Sequence, residues 1–491
     1  MARRLKERQI APLNEEQLTA VLATEGPVRV AACAGSGKTT MLVERCGFLI
    51  EEKKVDPDRV LLVTFSSDAK MEMERRLKKR LPSIDMSKSV RTAHSIGLQV
   101  YKAEHNTGWT IDPTGKLYKG IIQHVLAEDG ITIQRDAIGV KSWTAMIWDF
   151  AEVVKREVLG HHEIAEAFGA VDPRMEALGA PQVRAYYRRV EQLRKQGVTV
   201  DGEFVLPVTY DDMLYDTAIA FREDGVKKRW AARYDYVLQD EGQDESMVQR
   251  TVIESLASET GNYCVVGDPA QALYSFRGGS AEGLLRFEER WPSAQTIKLV
   301  GNYRSGHEII TVANHVLRRM PAKTVIDLQM VCKRGTPSEV TGATYQNIGD
   351  EARAIAEEIF SIGKRAEEPD WREFAVLTRT NESLAVLSEM FKEVELPHRV
   401  SGESYPKGAR NTVTLCTIHA AKGRQWTNVY LAQAYDTNHD STEERRVFYV
   451  AVTRARDRLT ISYSHEGIRF DDQRPLKFLA EAGIDMYSNV V

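Results

Sequence analysis

Short, nearly unbroken apolar runs alternate along the chain with stretches whose apolar residues recur every three or four positions. The runs are VRVAAC (28–33), RVLLVTF (59–65), YDYVLQD (234–240), NYCVVGD (262–268), FAVLTR (374–379), TVTLCT (412–417), NVYLAQA (428–434) and RLTISYS (458–464). Apolar side chains on both faces, with helical segments between, predict parallel strands covered on each side, hence an α/β architecture. Asp240, Asp268 and Arg379 close three of these runs. They lie at the carboxyl ends of strands, the edge along which open α/β sheets form their ligand crevice. From about residue 101 to 205 the alternation stops. Stretches such as WTAMIWDFAEVVKREVL and APQVRAYYRRVEQLRKQ predict a mostly helical insert between two α/β parts.

At about 100–200 residues per domain, the 491 residues make roughly three domains. The balance of 66 basic against 70 acidic residues excludes a uniformly basic coat protein. Any nucleic-acid surface must be local, because attraction to phosphates decays over about a Debye length. No run reaches the ~18 apolar residues of a membrane span, and MARRLKERQI lacks the apolar stretch of a secretory signal. The five cysteines form no CxxC pair, and Cys33, Cys264 and Cys416 fall in strand-like runs. This predicts packed, reduced thiols in a cytoplasmic protein, and argues against zinc, an iron–sulfur cluster or a disulfide framework.

The strongest chemical signal is Gly35-Ser36-Gly37-Lys38-Thr39, directly after a strand and at the start of a helix. Successive backbone N–H groups and a helix N-terminus cradle phosphates in such a turn. Lys38 then reaches the β/γ-phosphates and Thr39 ligates Mg²⁺. Ala32 stands where the generic pattern has its first glycine. A second strand ends in Asp240-Glu241. An acid there would hold Mg²⁺, and the adjacent Glu241 would orient or deprotonate an attacking water.

Taken in order, the motifs resemble the UvrD/Rep/PcrA-type DNA helicases of superfamily 1, over nearly the whole chain outside the insert. The segments that carry the resemblance are LNEEQ (13–17), VTFSSDAKMEMERR (63–76), TAHS (92–95), QDEGQD (239–244), GDPAQALYSFRG (267–278), NYRS (302–305), TIHAAKGRQW (417–426) and EERRVFYVAVTRA (443–455). The resemblance implies two RecA-like domains with ATP and Mg²⁺ in the cleft between them, and 3′-to-5′ travel on DNA. It implies that Gln17 reads the adenine and Tyr303 stacks on it, while Ala34, Gly35, Ser36, Gly37, Lys38, Thr39 and Thr40 wrap the phosphates. Gln271 would report the γ-phosphate, with Arg304 and Arg454 as arginine fingers, a task suited to planar bidentate donors. Phe65, Tyr210, Tyr274 and Phe276 would stack on bases, and Thr92, His94, Arg277 and His419 would contact the strand.

The chain departs from the family pattern at several places. Cys33 replaces a glycine, Pro269-Ala270 replaces two acids, and Arg424-Gln425-Trp426 replaces Leu-Glu-Phe, so Gln425 would meet the nucleotide sugar without charge. Between SGESY and VTLCT, where larger relatives carry an inserted domain, there are only residues 406–412. The expected units are 1–100 with 206–294, the insert 101–205, and 295–491. The expected partners are single-stranded and tailed duplex DNA, met in the cytoplasm or nucleoid by a chain active as a monomer. Two rivals stay open: a translocase that displaces proteins with little unwinding, and a non-catalytic nucleotide-switched DNA-binding module. The basic, aromatic stretch RAYYRR (184–189) is either a DNA contact or a solvated helix face.

Overall fold

The computed structural model describes residues 13–105, 108–131, 143–157, 181–200, 202–273, 279–402, 411–436, 442–466 and 474–488. A six-stranded, all-parallel sheet forms the first core, in the spatial order Val90–Thr92, Val60–Thr64, Tyr236–Gln239, Tyr263–Gly267, Val28–Ala32, Gln295–Leu299. The four central strands are buried throughout, which is why their sequences read as continuous apolar runs. The edge strand Gln295–Leu299 pairs with Val28–Ala32, so this sheet extends past residue 294, where the sequence suggested a boundary. Its alternating burial leaves it no apolar run to notice.

A seven-stranded parallel sheet forms the second core: His398–Val400, Val413–Thr417, Phe374–Thr378, Trp426–Leu431, Ala455–Glu466, Glu339–Asn347, Met486–Ser488. The two cores share apolar packing. Ala31, Cys33, Ala34, Ala270 and Leu273 of the first belong to one hydrophobic cluster with Ile309, Ala313, Tyr449 and Val450 of the second. Cys33 is fully buried there, Cys264 and Cys416 are buried in their strands, and Cys46 is buried in helix Lys38–Glu51.

Helices Lys116–Glu128, Trp143–Arg156 and Pro181–Gln196 pack around Ile122, Val125, Phe150, Val154, Tyr187 and Val190 to form the insert. It is not wholly helical. Trp109–Ile111, Glu203–Val208 and Val198–Val200 make a small three-stranded sheet at its foot, in strands too short for a clear period-two pattern. The RAYYRR stretch is mostly a solvated helix face: only Tyr187 is buried, Ala185 and Arg188 are exposed, and its polar contacts lie at the surface. Tyr187 is in the insert core, the Tyr186 hydroxyl donates to Asp129 (2.9 Å), and Arg189 pairs with Glu128 and Asp129 (2.9 and 2.7 Å). A buried ion network ties insert to core: Lys155 Nζ lies 2.8 Å from Glu191 and 2.6 Å from Asp212, and Arg194 lies 3.1 Å from Asp216. Among the described residues, no helix is long and apolar enough to cross a membrane.

Candidate active site and nucleic-acid interface

Strand Val28–Ala32 delivers the chain into the Gly35–Gly37 turn, and helix Lys38–Glu51 leaves it. Gly35 and Gly37 both have left-handed backbones (φ 71° and 81°), the conformation glycine adopts without steric cost. Neighbours fill the space a side chain would need. A Cβ at Gly35 would lie 2.7 Å from Asn302 Nδ2, and one at Gly37 would lie 2.6 Å from Gln17 Nε2. Two amides hold the turn from outside, with Gln17 Nε2 donating to the Ser36 carbonyl and Asn302 Nδ2 to that of Ala34, each at 2.7 Å. Gln17 also closes a capping box with Asn14 at the start of helix Glu15–Leu22. Its carboxamide keeps one N–H and one lone pair beyond these bonds. Tyr303 sits beside it, 45% exposed, its hydroxyl accepting from Asn14 Nδ2 at 2.8 Å.

Thr39 and Thr40 occupy the first turn of the helix, and Lys38 Nζ lies 3.8 Å from Glu241 Oε2. Glu241 holds a left-handed backbone (φ 54°), a local strain of the kind that clusters at functional sites. Burial raises its carboxyl, but Lys38, Lys422, the Gln243 amide and Arg454 outweigh that and hold it at about 2. The adjacent Asp240 goes the other way: burial first, then the Glu241 charge, push it up to about 7. The neighbouring carboxyls therefore lean in opposite directions, Glu241 toward the anion and Asp240 toward protonation.

The second core supplies Arg304 and Arg454. Arg454 is 1% exposed and donates from Nη2 to Gln271 Oε1 at 3.1 Å, while Gln271 Nε2 donates to Asp268 Oδ2 at 2.7 Å. Burial, then the Arg304 charge, pull Arg454 down to about 9. Arg304 donates from Nη1 to the Thr453 carbonyl (2.9 Å), and its Nε is buried with no hydrogen-bond partner among the described residues. Lys38, Arg304 and Arg454 are thus concentrated in a low-dielectric cleft, an arrangement suited to a polyanion. The donor set fits Mg²⁺ as well, since Asp240 and the Thr39 hydroxyl are hard oxygen ligands.

A second cleft of about 600 Å³ opens between the first core and the insert. Phe65, His94 and Tyr210 line it, His94 meeting Tyr210 edge to face at 5.7 Å. Burial holds His94 below its usual value. Thr92 is half-buried and caps helix Ala93–Glu104 through a capping box with Ser95. His419 follows strand Val413–Thr417 of the other core and is not among the residues lining this cleft. Gln425 is exposed in the turn before strand Trp426–Leu431. Tyr274, Phe276 and Arg277 lie outside the described residues.

The model of the UvrD/REP helicase N-terminal domain matches residues 13–292, and that of the UvrD-like helicase C-terminal domain matches 297–406 and 403–466. The chain belongs to the UvrD/REP helicase family. It is similar to the protein named ATP-dependent DNA helicase PcrA in Staphylococcus epidermidis, 28% identical over 401 residues, covering 79% of this chain and 51% of that protein. PcrA of Staphylococcus aureus is 28% identical over 397 residues, with the same coverage. The chain therefore spans about half the length of these curated relatives.

Within this UvrD/REP framework, several organising residues escaped the sequence reading. Asn302 accepts from the N–H groups of Arg304 and Ser305 (2.8 and 2.9 Å) while donating to Ala34. Gln243 donates to Glu241 Oε2 (2.5 Å) and Asp244 Oδ2 (3.1 Å), and accepts from the Asp268 N–H. Tyr449 donates to Asp268 across the cleft at 3.2 Å. All three lie inside the motifs, but motif spacing says nothing about which side chains brace the others.

Proposed function

We propose that the chain is an ATP-hydrolysing DNA helicase and translocase that travels 3′-to-5′ on single-stranded DNA. The observation that carries this reading is the meeting of Lys38, Asp240 and Glu241 from one core with Arg304 and Arg454 from the other, next to an aromatic cleft. Phe65 and Gln249 line both that cleft and a smaller cavity reaching Asp240 and Glu241, so strand site and hydrolytic carboxylates adjoin. The working units in this reading are 1–100 with 206–294, continued by strand Gln295–Leu299, then the insert 101–205 and the second core.

Glu241, ionised at neutral pH, orients the attacking water and accepts its proton. Thr39 and Asp240 would hold Mg²⁺, which would supply positive charge to offset that of the phosphates. Lys38, Arg304 and Arg454 place fixed positive charge where negative charge gathers, at no reorganisation cost. Gln271, linked to Arg454 and Asp268, transmits the state of the γ-phosphate position to both cores. Gln17 and Tyr303 bind the base and Gln425 the sugar. Phe65, Tyr210, Tyr274 and Phe276 stack on the strand, with Thr92, His94, Arg277 and His419 alongside. Closure on ATP and reopening after hydrolysis shift the populations of two inter-core states, which moves the strand. The chain works as a monomer on single-stranded or tailed DNA in the cytoplasm.

ATP hydrolysis with and without single-stranded DNA, beside unwinding of duplexes tailed at either end, tests this. Hydrolysis indifferent to DNA, or unwinding only from a 5′ tail, would defeat it. The short segment 406–412 favours a second reading, displacement of bound proteins with little unwinding, which a streptavidin-displacement assay separates from strand displacement.

A further inference from the structure

The chain crosses from the first core to the second over residues 299–303, and a carboxylate outside the hydrolytic machinery holds the crossing. Leu299 ends the edge strand of the first core, and its carbonyl still accepts from the Cys33 N–H at 3.1 Å. One residue later the bonding is divided. The Val300 N–H donates to Glu16 Oε2 of the first core at 3.0 Å, while the Val300 carbonyl accepts from the Val331 N–H at 2.8 Å. From Gly301 the backbone pairs with strand Val331–Cys332, and the Asn302 carbonyl accepts from the Lys333 N–H at 2.8 Å. The Tyr303 N–H then reaches back to the Gly35 carbonyl at 3.0 Å. Val300 is thus the first residue whose main-chain bonds are shared between the cores, and Glu16 closes it on the first-core side.

Glu16 stands in the first turn of helix Glu15–Leu22, and the start of that helix meets the crossing and the Gly35–Gly37 turn at three points. Asn14 Nδ2 donates to the Tyr303 hydroxyl at 2.8 Å, Glu16 takes the Val300 N–H, and Gln17 Nε2 donates to the Ser36 carbonyl at 2.7 Å. The far end is held by Arg45, 1% exposed, which donates to the Ala20 carbonyl. A short helix fixed at both ends is a stiff bracket. Its bond to Val300 has an ionised acceptor, the stronger kind of hydrogen bond. We propose that Glu16 is a positioning residue for nucleotide binding: by holding Val300 it fixes the inter-core crossing, and with it Tyr303 three residues on, before ATP arrives. It touches neither nucleotide nor strand. Its effect is to remove part of the ordering cost that binding would otherwise carry. The inference rests on the ATP-hydrolysing reading above, and its test is built so that the two fail separately.

The test compares Glu16→Ala, Glu16→Gln and Glu15→Ala in the full chain. Glu16→Ala should raise the KM for ATP about tenfold, the scale of one hydrogen bond to a charged acceptor. Its kcat should stay within about twofold, because what is lost is binding common to ground and transition states. Glu16→Gln should restore most of the affinity, since its amide oxygen accepts the same N–H. Glu15 is exposed on the same helical turn, so Glu15→Ala removes an equal charge without touching Val300 and should leave KM unchanged. The preference for ATP over GTP should be the same in all three, since Gln17 is intact and an aromatic stack accepts any base. Without nucleotide or DNA, hydrogen exchange at the Val300 and Val331 amides should quicken in Glu16→Ala and stay slow in the other two variants. An unchanged KM in Glu16→Ala, an equal rise in Glu15→Ala, no rescue by Glu16→Gln, or unaltered exchange at Val300 would overturn the proposal. If the wild-type chain hydrolysed no ATP, the function reading would fall, and the exchange measurement with titration of a fluorescent ATP analogue would still decide the role of Glu16.

Discussion

Glu241→Gln isolates the chemical step from binding. The substitution preserves shape: the new carboxamide oxygen still accepts from Gln243 Nε2, now 2.5 Å from Glu241 Oε2, and glutamine carries the left-handed backbone (φ 54°) no worse than glutamate. What disappears is the charge and the ability to take a proton. Removing a general base costs about 10²–10⁴ in rate, a barrier increase of about 3–5 kcal/mol. Nucleotide binding should move the other way. Lys38 Nζ, 3.8 Å from the carboxylate, loses a competing anion. At an effective dielectric constant near 20, that attraction is about 4 kcal/mol gross. Desolvation, and solvent at a carboxylate 27% exposed, leave only part of it. Affinity for ATP should thus be unchanged or up to about tenfold tighter. Phosphate release at saturating single-stranded DNA gives the first quantity, and titration with a fluorescent ATP analogue the second. Turnover near the wild-type rate would refute the role of Glu241. Slow turnover with lost nucleotide binding would show that the site had collapsed.

The remaining predictions concern the loop, the cleft, the insert and pH. Gly35→Ala must hold φ 71° with a Cβ 2.7 Å from Asn302 Nδ2, costing about 1–2 kcal/mol in backbone strain alone; calorimetry should show weaker ATP binding and a lower melting temperature. Tyr210→Ala should weaken single-strand affinity by about 1–3 kcal/mol in a fluorescence-anisotropy titration, with basal hydrolysis unaffected; equal loss of both would make it a packing residue. Lys155→Met leaves buried Glu191 and Asp212 one cation short and should destabilise the chain by about 3–5 kcal/mol, read from denaturant unfolding. Burial lifts Glu245 to about 8 against Gln239, which donates to it. Because that folded value lies above the free value of 4.5, its contribution is complete below 4.5 and lost as pH climbs through about 8. Glu245→Gln should flatten the fall in melting temperature over that range; an unchanged slope would count against a neutral Glu245.

Much of this molecule was legible in one dimension. Strands buried on both faces must be apolar at every position, so Val28–Ala32, Val60–Thr64, Tyr263–Gly267 and Phe374–Thr378 stood out as runs. The Gly35–Gly37 turn was equally legible, because its glycines answer a backbone demand (φ 71° and 81°) that few other residues meet. Half-exposed strands were lost. Gln295–Leu299 has only two buried residues, and the sheet at the foot of the insert is built from short pieces without an apolar run. The two clusters of candidate residues are matters of packing across long sequence separations. Arg454 meets Gln271 across 183 residues and Lys422 meets Asp244 across 178, distances over which no local pattern carries information. Gln17 shows the same limit at short range, since the feature that suggested base reading also caps a helix and holds the Gly35–Gly37 turn. Which side chains brace others depends on directions fixed only when both cores and the insert are packed. A neutral-leaning Asp240 beside an ionised Glu241 is likewise a product of burial and of charges brought in from both cores. Residue identity alone assigns the two carboxyls nearly the same acidity.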